Sequence, residues 1–209
     1  MREDTKTLAF AGIVCLTCSL LLSGTAAGLK GRQQANEAFD VKRNIVKAFG
    51  IDISAMDRPT IESTYEKHVT AEKAGELDLF TWTDDGADQA SKYAFPVSGK
   101  GLWSMLYGYL SLEADLETIA GISFYKHGET PGLGAEIEKN WFLSQFAGKK
   151  LYKDGSAVDF LVVKPGTPLT DTSVDGISGA TLTGKGVQDL ICKDAAAYAE
   201  YFNSIKKDK

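Results

Sequence analysis

Ser178-Gly179-Ala180-Thr181-Leu182-Thr183 sets three hydroxyls among small residues, just before a stretch whose apolar residues recur at helical spacing. Such a segment lets a bulky group lie close to the backbone and presents a threonine oxygen for covalent attachment. Thr181 and Thr183 stand two apart, so in extended backbone both hydroxyls face one side. A helix expected to begin near Gly184 has free amides at its start, and these amides with the helix dipole favour a nearby phosphate. Lys185 either adds charge there or is solvated. Taken alone, the segment also reads as a tight turn between a strand and a helix.

Two further segments carry residues suited to holding a flat ring. His127-Gly128-Glu129-Thr130-Pro131-Gly132-Leu133-Gly134 has three glycines and a proline, which fix a shaped loop without large side chains. It can lie against an aromatic system, or serve as an ordinary turn into a helix from Ala135. In Gly101-Leu102-Trp103-Ser104-Met105-Leu106-Tyr107, the spacing puts Trp103 and Tyr107 on one strand face, as core residues or as lining of a ring pocket. His68, in a polar stretch, reads as exposed, and His127 as a residue that positions its loop. Neither has a metal-binding spacing. Glu113 and Asp115 read as surface carboxylates. There is no Ser-His-Asp arrangement, phosphate-binding Walker loop or dinucleotide fingerprint.

These segments need a scaffold, and the 209 residues suffice for one domain plus an extra segment. The net charge of -5 argues against a nucleic-acid partner. From Thr7 to Leu29 there is no charge, enough helix to cross a bilayer. A retained membrane anchor is expected, with a cleaved signal at Thr25-Ala26-Ala27 as the rival reading. Cys15 and Cys18 form C-x-x-C inside this apolar run and read as small buried or lipid-facing side chains, and Cys192 implies no disulfide framework. Arg2 and Lys6 before the span balance Lys30 and Arg32 after it, so charge leaves its orientation open.

Past the span, Ala38, Val41, Ile45 and Phe49 predict a helix over Gly31–Phe49 closed by Gly50. Residues 51–76 read as polar connection, with a short helix around Thr60–Ala74 or a surface loop. Strands are expected at Leu77–Thr83, at Tyr93–Val97 with Pro96 at an edge, at Leu102–Glu113, at Ile119–Tyr125 and, buried, at Val158–Val163. Helices are expected over Ala135–Phe146 and along the stripe Val187, Leu190, Ile191, Ala195, Tyr198, Phe202, Ile205. The fold class is α+β: a single N-terminal transmembrane helix, then one domain with a mainly antiparallel sheet and flanking helices. The division is 1–30 anchor, 31–76 connection and 77–209 domain.

Three blocks, Gly101–Leu112, Gly121–Gly134 and Asp175–Val187, together with the N-terminal anchor, resemble the C subunit of the sodium-translocating NADH:quinone reductases, an FMN-binding family related to the G subunit of the Rnf complex. The resemblance implies FMN joined through its phosphate to Thr181, and an electron-carrying subunit of a complex that couples NADH oxidation by quinone to sodium export. It implies a cofactor site of Ser178, Gly179, Ala180, Leu182 and Thr183 at the phosphate, with Glu129, Thr130, Gly132, Leu133 and Trp103 toward the ring. It further implies a separate flavin transferase that uses FAD, other membrane subunits as partners, and a single-pass location in the bacterial inner membrane with the domain on the periplasmic side. Gly184-Lys185 stands where the family has Ser-Asn, Ala135 stands where a glycine is usual, and the chain is short between the anchor and the first strand. An Rnf-type subunit with covalent FMN, or a membrane-anchored binding domain without a redox role, are the alternative readings.

Overall fold

The fold comes from a computed structural model and is described for residues 2–208. One helix, α1 (Arg2–Ala48), runs through the apolar stretch and beyond it. By contacts, the chain divides into residues up to Asp40 and residues from Val41 onward. In the first unit, α1 is long and apolar enough to cross a membrane. Two of its hydroxyls are turned back onto the helix: Thr17 Oγ1 donates to Ile13 O at 2.8 Å and Thr25 Oγ1 to Leu21 O at 2.8 Å. Such bonds satisfy polar groups in a hydrocarbon setting. Among the described residues no group of three or more His, Cys, Asp or Glu is placed to hold a metal ion.

In the second unit, five strands form an antiparallel meander in sequence order: β1 (Val69–Ala74), β2 (Leu77–Trp82), β3 (Lys92–Lys100), β4 (Met105–Glu113) and β5 (Ile119–Lys126). Side chains alternate across it, as period-two burial requires. Tyr93, Phe95 and Val97 of β3 enter one core, whereas Ala94 enters the other. After the meander, β6 (Tyr152–Lys153) and β7 (Ser156–Ala157) make a small hairpin. The larger core lies under the last helix, α4 (Thr181–Asp208), whose Val187, Leu190, Ile191, Ala195, Tyr198 and Phe202 are buried as their spacing predicts. The smaller core packs Ile45, Ala48 and Phe49 from the end of α1 against Trp82 and Tyr109.

Some local expectations are corrected. The helix expected over Thr60–Ala74 is α2 (Arg58–His68), and Val69–Ala74 is β1, paired along its length with β2. Val69-Thr70-Ala71-Glu72-Lys73 has mixed propensity, and the neighbouring strand decides its conformation. His68 is not exposed: its ring stacks on Trp82 at 4.6 Å. Pro96 lies in the central strand, yet β2 pairs with β3 only over Lys92–Ala94. Beyond that point, the Ser98 amide donates to Asp194 Oδ2 of α4 at 2.7 Å, so the strand has a local edge where proline is tolerated. The expected helix Ala135–Phe146 is split into a 3-10 turn (Gly134–Glu138) and a short α3 (Asn140–Leu143), because Lys139 is extended. The buried strand expected over Val158–Val163 shrinks to β8 (Leu161–Val163), parallel to β9 (Ser173–Asp175), with Leu161 exposed and only Phe160 fully buried.

Candidate functional site

α4 starts at Thr181, three residues earlier than its sequence suggests. Gly184 N–H donates to Ala180 O at 3.0 Å, so Ala180 is the N-cap. Alanine has no side-chain acceptor, and the first amides of α4 are left without the usual cap. Gly179, just ahead of the helix, has φ +77°, which glycine adopts freely and other residues do not.

The early start changes how the two threonines relate. On a helix, residues two apart point in different directions. Thr181 is exposed, whereas Thr183 is 1% exposed and donates through Oγ1 to Glu129 Oε2 at 2.7 Å. The expectation that both hydroxyls face one side is therefore corrected. One is turned outward and the other is committed inside.

Glu129 joins three segments. Its carboxylate accepts from the amides of Leu102 (3.3 Å), Trp103 (2.9 Å) and Ser104 (3.1 Å), and from Ser104 Oγ (3.3 Å), besides Thr183. Residue Glu129 is only 5% exposed. Burial opposes its ionisation more than any other single effect, but the hydrogen bonds from Thr183, Trp103, Ser104 and Leu102 together hold its carboxyl below the usual range. The neighbouring His127 steadies the loop, as its sequence position suggests. Its Nδ1 accepts from the Glu129 amide at 3.3 Å, and its Nε2 lies 3.5 Å from Glu138 Oε2.

The segment at Trp103 departs from expectation. It is not a strand face shared with Tyr107 but the tip of the β3–β4 hairpin, closed by Gly101 N–H donating to Ser104 O at 2.8 Å. Neither Leu102 nor Trp103 has a positive φ, so the loop is not one of the mirror-image turns that two-residue hairpins favour. The Glu129 carboxylate takes its three amides instead. Trp103 is consequently 72% exposed.

Around this junction apolar side chains face solvent. Leu102, Trp103 and Met105 come from the hairpin, Leu133 from the glycine loop and Leu182 from the first turn of α4. A methyl at Gly179 would lie 3.0 Å from Leu133 Cδ2, and one at Gly134 2.6 Å from Thr183 Oγ1, so the glycine loop and the start of α4 are in direct contact. Close packing farther along fixes the helix to the sheet, since a Cβ on Gly99 would meet Leu190 Cβ at 2.6 Å and one on Gly186 would collide with Lys100 O. Thr130 and Gly132 are exposed on the same loop, and Ser178 is exposed beside Gly179. Lys185 pairs with Asp189 at 2.9 Å on the solvent side of α4.

The structure thus gathers Thr181, Ser178, Gly179, Leu182, Thr130, Gly132, Leu133 and Trp103 at one exposed place, and it puts Glu129, Ala180 and Thr183 beneath them. Leu102 and Met105 belong there too and are missing from the set read in the sequence. Their signal is an apolar pair at the tip of a short hairpin, where polar residues are the norm. An exposed hydroxyl, uncapped helix amides and an exposed apolar patch suit an anionic group attached to a flat apolar body.

Residues 101–195, which span all three segments, match the family described as FMN-binding domain. The C subunit of the Na(+)-translocating NADH-quinone reductase of Vibrio vulnificus (strain YJ016) is 34% identical over 88% of this chain and 87% of its own length. That of Pseudomonas aeruginosa (strain PAO1) is 32% identical over 91% and 90%. Among solved structures, the C subunit of the Na(+)-translocating NADH-quinone reductase from Parabacteroides distasonis ATCC 8503 aligns with a TM-score of 0.73 at 32% identity, over 83% of this chain and 96% of that one. Shewanella oneidensis NqrC aligns with a TM-score of 0.73 at 26% identity, over 83% and 99%.

Proposed function

The chain belongs to the family formed by the C subunits of the Na(+)-translocating NADH-quinone reductases, and from that premise we propose that Thr181 carries FMN through a phosphate ester on Oγ1. It is an FMN-carrying electron-transfer subunit of that redox complex. The observation that carries the proposal is the contrast between the two threonines: Thr181 is exposed at an uncapped helix start, and Thr183 is buried against Glu129.

When bound, FMN supplies reversible uptake and release of electrons. The chain's own part is to hold and place it. The amides that open α4, with Ser178 and Gly179, would hold the phosphate, and the helix dipole would stabilise its charge. Leu133, Leu182 and Trp103, with Thr130 and Gly132, offer a surface for the ring. Glu129 and Thr183 fix the hairpin, the glycine loop and the helix relative to one another, so the tethered group meets one geometry. Ala180 packs into the core and anchors the turn.

Attachment follows from the same placement. With a flavin transferase using FAD, Thr181 Oγ1 would be the acceptor of the FMN phosphoryl group, giving up its proton, and AMP would be the leaving group. Residues 77–209 then bear the cofactor, residues 41–76 fold into the same unit through the end of α1, α2 and β1, and residues 1–30 act as the anchor. That anchor crosses the bacterial inner membrane once, with the domain on the periplasmic side among the other subunits of the complex. A tether removes dissociation of the cofactor and keeps it at high local concentration near its redox partners.

Mass spectrometry of the chain purified with its native complex tests this. The peptide spanning 178–187 should carry the mass of FMN less water, with fragment ions that place it on Thr181. An unmodified peptide, or a modification on Thr183 or Ser178, refutes the assignment.

A further inference from the structure

A cavity of about 490 Å³ opens where the last turns of α1 meet β5 and α3, and none of the residues around Glu129 lines it. Its wall carries two cations, Arg43 and Lys47. Four residues apart on one helix, they share a face, and like charges so placed repel. Lys47 Nζ meets the main-chain carbonyl of Glu138 at 3.5 Å, and the Glu138 carboxylate, which also faces His127, offsets part of the repulsion from Arg43. Among the described residues Arg43 has no ion-pair partner, whereas Lys42 beside it pairs with Glu66 at 3.0 Å.

Lys47 lies in the last turn of α1, where the helix dipole favours a cation, but the helix end does not need either charge as a cap. Its last carbonyls already have donors. Asn44 O accepts from Ser123 Oγ at 2.8 Å, Ala48 O from Ser111 Oγ and Phe49 O from Lys92 Nζ at 2.9 Å. The Phe49 and Gly50 amides serve Ile45 O at 3.2 Å and Lys47 O at 3.0 Å. The cavity wall is otherwise mixed, with Ser54 and Asn140 polar and Ile51 and Ile53 apolar. Asp52 is its only acidic lining residue, and its carboxylate is tied to the Ser54 amide at 2.9 Å.

We propose that this cavity binds a phosphate monoester, a dianionic phosphoryl head on an organic body. The planar fork of Arg43 and the ammonium of Lys47 match two negative charges, and a phosphoryl head relieves the repulsion between them. The volume lies within the range of small-ligand sites, roughly 300–1,000 Å³, which leaves room for a body against the isoleucines. A soluble monoester and a phospholipid with a terminal phosphate present the same head.

Calorimetric titration of the full flavin-bearing chain in an uncharged detergent tests the site. The probes are phenyl phosphate, inorganic phosphate and short-chain phosphatidic acid. Phenyl phosphate should saturate one site per chain and bind more tightly than inorganic phosphate. Arg43→Gln and Lys47→Gln should each weaken it by about tenfold, with flavin content and circular dichroism unchanged. That control separates loss of this site from any failure of the Thr181 assignment. Asp52→Asn keeps both cations and should tighten binding by about twofold; equal or weaker binding counts against the proposal. Saturation by phosphatidic acid alone, lost in the same variants, assigns the head to a lipid and upholds the site. Absence of saturable binding by all three probes, or binding that survives the Arg43→Gln/Lys47→Gln double variant, overturns it.

Discussion

Two helices of the domain begin in opposite ways. α2 opens on Asp57, whose carboxylate accepts the Thr60 amide at 3.0 Å, with a proline in its first turn. It is closed by its own residues, as a helix with a purely structural task is expected to be. α4 opens on Gly179-Ala180, with no side chain to cap it, an exposed threonine at its first position and exposed leucines beside it. The stabilisation that a cap supplies is forgone at α4, which on the proposed reading leaves its amides to the FMN phosphate. A helix start left open is informative here because three segments are pinned around it by one buried carboxylate.

The contrast breaks most sharply at Thr181. Thr181→Ala should abolish covalent flavin altogether, read as absent in-gel fluorescence after denaturation, while the protein keeps its circular dichroism spectrum. Thr183→Ala should retain attachment, since that hydroxyl is committed inside. Fluorescence that persists in the first variant and vanishes in the second inverts the roles assigned to the pair. Glu129→Ala comes next. It strips an ionised acceptor from three amides and Thr183, and should lower unfolding free energy by about 3 kcal/mol, seen as a shift in the urea midpoint. The pH dependence has a fixed sign. The hydrogen bonds lower the folded-state pKa of Glu129, so its contribution is full above its unfolded value of about 4.3 and is lost as pH falls through the folded value. The gap between wild type and Glu129→Ala should therefore narrow below about pH 4. A gap independent of pH means that the carboxylate is not the linking group.

Much of this is legible in the residues. The apolar runs at Leu77–Trp82 and Ile119–Lys126 and the helical stripe of α4 all supply buried residues, and such segments survive into the fold. What is not legible is decided by partners distant in sequence. Val69–Ala74 has no apolar alternation of its own and becomes a strand because β2 turns back along it. The hairpin at Leu102-Trp103 reads as strand because its tip is apolar, and the Glu129 acceptor that makes the turn lies more than twenty residues away. The start of α4 reads late for the same kind of reason: Thr181 and Thr183 read as extended backbone, yet the helix already opens at Thr181, with Gly186 placed where a Cβ would collide with Lys100 O. The chemistry of the site residues marks them out, but their division into exposed and buried sets needs the helix register.

Gly179 gives a finer test of the open helix start. Its φ of +77° and the 3.0 Å approach of Leu133 Cδ2 to an added methyl both oppose a side chain. Gly179→Ala should cost between about 1 and 2 kcal/mol, measured by denaturant titration. It should also reduce the fraction of flavin-bearing chain under limiting transferase, because the turn that presents Thr181 must shift. Full attachment at wild-type rate in a destabilised variant separates the turn's structural role from its presenting role.

The smallest effect belongs to the capped helix. Asp57 sits on the surface, and its hydrogen bond with Thr60 lowers its pKa. Asp57→Ala removes an acceptor from α2 without exposing a buried donor, so the melting temperature should fall by a few degrees at most. Because the folded-state pKa is the lower one, the contribution is present above the unfolded value and is lost as pH falls through the folded value. The difference between wild type and Asp57→Ala should thus disappear in acid. Flavin content should not change at any pH, since α2 packs on β1 while Glu129 joins the hairpin, the glycine loop and α4. If Asp57→Ala lowers attachment as Gly179→Ala does, then helix starts in this domain are coupled, and the absence of a cap at α4 loses its meaning as a mark of the site.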